Sequence, residues 1–113
     1  MTKSAIRIAL CVALVAAAAI VPAQAASGGA VAARSRSVIL KHIAFHPRTA
    51  HIRVGGTVTW RWRDGSIVHN VVGSGFRSPT KAMGTYTLRF RARGTYNYVC
   101  TIHPGMTGKV IVG

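Results

Sequence analysis

Apolar and polar positions alternate along much of the chain beyond residue 37. Across residues 57–63, Val58, Trp60 and Trp62 fall on one face while Thr57, Thr59, Arg61 and Arg63 fall on the other. A period of two belongs to a strand with one side on a core and the other in water. Residues 85–93 repeat it, with Tyr86, Leu88, Phe90 and Ala92 expected inward and Arg89, Arg91 and Arg93 outward. After a turn at Gly94, Tyr96, Tyr98 and Cys100 share a face, and residues 108–112 read as a closing strand. Nearer the start, residues 37–43 and 50–54 read as two more strands, with Phe45, His46 and Pro47 between them and a turn at Gly55 and Gly56. Residues 71–86 carry Gly73, Gly75, Pro79 and Gly84, which predicts loop with one short edge strand. No amphipathic helix or internal repeat interrupts the series. Regular strand faces with frequent turns predict an all-β chain folded as a single β-sandwich.

The first 25 residues follow a different pattern. Lys3 and Arg7 precede an unbroken apolar run from Ile8 to Val21, and Ala23, Gln24 and Ala25 follow it. This is the layout of a secretory signal peptide cleaved after Ala25. The run is shorter than the roughly 20 residues a bilayer-spanning helix needs, so no stable membrane insertion is expected after cleavage. The periplasm or the cell exterior is the expected location. Residues 26–36 hold Ala, Gly, Ser and Arg without period and read as a flexible arm, which leaves residues 37–113 as the domain.

Export changes the meaning of the cysteines. Cys11 lies in the apolar run and would leave with the leader, so Cys100 would stand alone and no disulfide could form within the mature chain. A domain this small often needs a disulfide or a metal. A lone exported cysteine points to a metal ligand, an intermolecular bridge or an inert buried thiol. The charge is equally one-sided. Fifteen Lys and Arg face a single acidic residue, Asp64, for a formal net charge of +14, which loss of the leader lowers by two. Such a surface attracts polyanions, acidic protein faces or anionic lipid. Export and the lack of a base-stacking motif argue against nucleic acid.

The segment from Tyr98 to Met106, Tyr-Val-Cys-Thr-Ile-His-Pro-Gly-Met, carries the chemistry. It spaces a thiolate, an imidazole and a thioether as C-x2-H-x2-M at a strand end, so that Cys100, His103 and Met106 share one tight loop. A thiolate, two imidazoles and a weak axial thioether form the ligand set of a blue-copper site. His69, followed by Asn70, is the best candidate for the missing imidazole. His42, His46 and His51 have no comparable context and read as surface or polar strand residues.

Phe45-x-Pro47, Val54-Gly-Gly-Thr-Val-Thr-Trp60, His69-Asn-Val-Val72, Gly94-Thr-Tyr-Asn-Tyr-Val-Cys100 and His103-Pro-Gly-Met106 together resemble the plastocyanin, amicyanin and pseudoazurin branch of the cupredoxins. The loop spacing is similar to that of amicyanin and pseudoazurin. The resemblance implies a Greek-key β-sandwich, one type 1 copper ion cycling between Cu(I) and Cu(II), and a monomeric one-electron carrier that turns over no substrate. It implies that Asn70 ties the two ligand loops together and donates toward the thiolate. It also implies that His103 lies at the surface within an apolar patch bordered by Pro104, Gly105 and Met106. Redox protein partners would then dock there, with an acidic face matched to the basic surface.

Three departures stand out. Ile102 replaces a proline common in relatives, and its main-chain N–H could add a second bond to the sulfur. Trp62 stands where many relatives carry Asn, and the interval from His69 to Cys100 is short. The competing function is a non-redox copper chaperone or sequestering protein, although no Met-rich or His-rich arm is present. Thr101 beside the Cys argues against a multicopper oxidase, and the loop has no second Cys for a two-copper centre.

Overall fold

A computed structural model describes residues 33–113. The expected leader, its cleavage after Ala25, Cys11 and the beginning of the arm lie outside the described residues. Within them the chain forms eight strands: β1 (Ala33–Leu40), β2 (Phe45–His46), β3 (Thr49–Trp62), β4 (Val72–Gly73), β5 (Phe76–Arg77), β6 (Gly84–Arg89), β7 (Gly94–Val99) and β8 (Thr107–Val112). The fold is the expected all-β sandwich.

β3 organises it. Its first half pairs in parallel with β8, from Thr49 opposite Lys109 to Ile52 opposite Val112. Its second half pairs in parallel with β1, up to Leu40 opposite Trp62, and on its other edge with antiparallel β6, from Thr57 opposite Arg89 to Trp62 opposite Gly84. The strand order is β2-β1-β3-β8-β7-β4-β5, with β6 also on β3. One strand therefore belongs to both layers. It changes layer at Gly55, whose φ of 86° favours glycine, and Gly56, where a Cβ would lie 2.6 Å from the Arg34 carbonyl oxygen. The glycine pair that reads as a turn between two strands is a kink within one.

The core lies between the layers. Trp60 is its centre, fully buried, with ring centroids of Tyr98 at 5.3 Å, Tyr86 at 5.7 Å, Phe76 at 6.2 Å and Phe90 at 6.4 Å. Val58, Trp60 and Trp62 are buried, as their alternation predicts.

Several expectations are corrected. The first strand begins at Ala33 rather than Ser37, so part of the expected arm is paired: Ala33 lies opposite Ile52, Ser35 opposite Thr57 and Arg36 opposite Val58. The same strand stops at Leu40 rather than Ile43, because His42 and Ile43 turn to φ values of 55° and 54°. Residues 50–54 and 57–63 are not two strands but the two halves of β3. Ala92 is exposed, since β6 ends at Arg89 and the inward face ends with Phe90. The 71–86 stretch holds two very short paired strands, β4 and β5, where the sequence predicts a single edge strand.

Candidate metal centre

The two layers bring together one end of β7, the 101–106 loop that follows it and the segment between β3 and β4. Cys100 directly follows β7 and Met106 directly precedes β8. The loop between them is closed by its own main chain: the Cys100 N–H donates to the Met106 carbonyl at 2.9 Å, and the Met106 N–H donates to the His103 carbonyl at 3.0 Å. Short spacing thus becomes convergence. Cys100 and Met106 are both buried, whereas His103 is part-exposed and the Ile102 side chain beside it is exposed.

His69 arrives from the other segment, and its polar atoms are used up almost completely. Its N–H donates to the Lys81 carbonyl at 2.9 Å, and its carbonyl accepts from the Lys81 N–H at 3.1 Å and from Trp62 Nε1–H at 3.0 Å. Its Nε2–H donates to Asp64 Oδ2 at 2.8 Å. The side chain is fully buried, so Nδ1 is the one polar atom of His69 left to bind something else. That nitrogen lies 3.2 Å from His103 Nδ1 and 3.9 Å from Cys100 Sγ, and His103 Nδ1 lies 3.5 Å from Cys100 Sγ. Two imidazole nitrogens and a sulfur facing one another suit a soft or borderline metal ion, and a carboxylate on the far imidazole nitrogen is the usual way to fix such a ligand's tautomer. Among the described residues, His69, Cys100 and His103 are the one group of three or more His, Cys, Asp or Glu arranged to hold a metal ion.

Asn70 joins the two segments. Its Oδ1 accepts from the Thr101 N–H at 2.8 Å, and its Nδ2 donates to Thr101 Oγ1 at 2.8 Å and to Thr80 Oγ1 at 3.1 Å. Both side-chain donors therefore go to threonine hydroxyls, and neither is left for the Cys100 sulfur.

Sequence reasoning misses two contributors. Trp62 reads there as an inward-facing strand residue and a departure from relatives, yet its indole holds the His69 carbonyl and carries the Lys81 ammonium 4.8 Å from its ring centroid. Asp64 reads only as the lone acid. Its carboxyl is lowered to about 2, chiefly by the Ile43 N–H, with His69 and the His42 N–H adding to the effect and partial desolvation opposing it. Its isolation among so many cations is the signal that could have found it.

Comparison with known proteins agrees with this geometry. The family described as copper binding proteins, plastocyanin/azurin family, matches residues 33–113. The chain belongs to this family, and its four donors His69, Cys100, His103 and Met106 make up a type 1 copper set. Amicyanin-alpha of Methylorubrum extorquens is 35% identical over 88 residues, covering 71% of this chain and 73% of that protein. Amicyanin of Paracoccus denitrificans is 44% identical over 69 residues, covering 55% and 53%. Halocyanin of Natronomonas pharaonis is 38% identical over 78 residues, covering 61% and 48%. A reduced Cu(I) amicyanin with one proline replaced by glycine superposes with a TM-score of 0.65 at 36% identity, covering 74% of this chain and 86% of that one.

Proposed function

We propose that this protein is an exported blue-copper electron carrier in which His69, Cys100, His103 and Met106 would hold the ion. The observation that carries the reading is the single unspent nitrogen of His69, aimed at the sulfur and at the second imidazole. Copper bound there supplies a one-electron change between Cu(I) and Cu(II). The residues supply the fixed frame: Asn70 locks one ligand segment to the other, and the loop's main-chain bonds hold Cys100 against Met106. A frame that cannot relax keeps the ligands in place as the charge changes.

His103 is the ligand nearest solvent and the natural exit for the electron. Several exposed apolar side chains adjoin it or its partners: Ile102 precedes it, Val68 and Ile67 precede His69, and the main chain of Ile43 donates to Asp64. Lys41, Arg63 and Lys81 lie beside the same segments. An apolar patch with a basic surround favours brief docking of a redox protein with an acidic face, at a rate that falls with salt. Copper delivery is the weaker reading, because an ion held by buried His69, Cys100 and Met106 is poorly placed for handover. We place the carrier in the periplasm or outside the cell, as a monomer.

The test is to load the protein with Cu(II) and record visible and electron paramagnetic resonance spectra. Intense blue absorption with narrow copper hyperfine splitting is expected. A colourless sample with an ordinary Cu(II) signal would overturn the proposal.

A further inference from the structure

Asp64 does more than touch His69. Its Oδ1 accepts from the His42 N–H at 3.0 Å, and its Oδ2 accepts from the Ile43 N–H at 3.0 Å as well as from His69 Nε2–H at 2.8 Å. His42 and Ile43 are the two non-glycine residues with positive φ among those described, and a β-branched side chain is especially unfavourable there. Such conformations persist only where the surroundings fix them. Here the turn is closed by reciprocal main-chain bonds between Lys41 and Ala44, both 3.1 Å, and its two successive N–H groups converge on one carboxylate as an anion-binding nest does. The only acidic residue in the chain is thus held by a strained turn and in turn holds a buried imidazole.

We propose that Asp64 is a positioning residue that makes the 41–44 turn part of the copper site: the turn fixes the carboxylate, and the carboxylate fixes His69 with Nδ1 free and favours the oxidised ion. The inference rests on His69 being a ligand. A thiolate at Cys100 and a carboxylate at Asp64 together balance Cu(II), whereas they exceed the charge of Cu(I) by one. With the carboxylate side chain 9% exposed and His69 fully buried, the carboxylate therefore stabilises the oxidised form more than the reduced form.

The test compares wild type with Asp64→Asn and Asp64→Glu. Loss of a partner behind a metal-bound imidazole typically costs about 10- to 100-fold in metal affinity. Asp64→Asn is expected to weaken Cu(II) binding about tenfold relative to Cu(I), an upward shift of about 59 mV for one electron. Asp64→Glu, which keeps the charge, should recover part of that shift. Amide exchange at His42 and Ile43 should quicken about tenfold in Asp64→Asn, an effect expected if the carboxylate holds the turn. A blue wild type with an unchanged potential and unchanged exchange in Asp64→Asn would overturn the inference while leaving the carrier reading intact. A wild type that is not blue would instead overturn the carrier reading. Should Asp64→Asn fail to fold, nitrogen-15 shifts of the His69 ring in metal-free wild type decide the matter: a proton on Nε2 is expected, and a proton on Nδ1 overturns it.

Discussion

The metal end of the sandwich and the aromatic centre beneath it handle buried polar groups in opposite ways. At the metal end, His69 has its main-chain groups and Nε2 engaged, and the Asn70 side chain has its oxygen and both N–H donors engaged. At the centre, Trp60 Nε1 and the Tyr98 hydroxyl are buried with no hydrogen-bond partner. An unpaired buried group typically costs about 1–3 kcal/mol, so the centre gives up stability that the metal end keeps. The difference shows what each region requires. The centre needs only volume and apolar contact, which large rings supply. The metal end needs fixed directions, which only hydrogen bonds supply.

The sharpest way to break this contrast is to remove the sulfur. Cys100→Ser should abolish the blue absorption while leaving the far-ultraviolet circular dichroism unchanged; retained blue colour would mean that the sulfur is not a ligand. Trp60→Ala should act in the opposite sense, costing about 3–5 kcal/mol in denaturant unfolding, the usual range for a buried large aromatic. Its copper spectrum, measured where the variant remains folded, should keep its band positions.

The next effect in size concerns pH. Burial pushes the Tyr98 phenol up to about 12 from its ordinary 10.0, and the Trp60 indole, which leans the other way without reaching hydrogen-bond geometry, offsets this only in part. Between those values the unfolded chain gives up the proton and the folded chain keeps it, so the contribution is fully present below pH 10.0 and is lost as pH rises toward 12. The loss amounts to about 2–3 kcal/mol at about 1.4 kcal/mol per unit. Tyr98→Phe should flatten this alkaline decline, and an unaltered decline in unfolding midpoints against pH would count against the burial argument. Asn70→Ala has the smallest expected cost in stability, about 1–2 kcal/mol, from hydrogen bonds lost to Thr80 and Thr101. It should also move the redox potential, and an unchanged potential would confine Asn70 to structure.

Much of this is legible in the sequence, for definable reasons. Cys100, His103 and Met106 lie so close in the chain that their convergence needs little tertiary information, and the alternation in β3 exposes its buried face directly. Other features depend on neighbours distant in sequence. Ala33 to Arg36 form strand through main-chain pairing with β3, while their Arg and Ser side chains carry no apolar signal. The Asp64 carboxylate reaches backbone groups 21 and 22 residues away, and no local pattern announces such contacts. Gly55 and Gly56 read as a turn because glycine serves both turns and kinks; only the pairing on either side distinguishes them.

The passage of β3 from one layer to the other also bears on how the molecule comes apart. A strand stitched into both sheets denies either one an independent hinge, so peeling away β8 disturbs the same backbone that anchors β1 and β6. The two layers should therefore open as a single cooperative unit, with main-chain amides of Ile52 and Trp60 exchanging with solvent through the same rare global event.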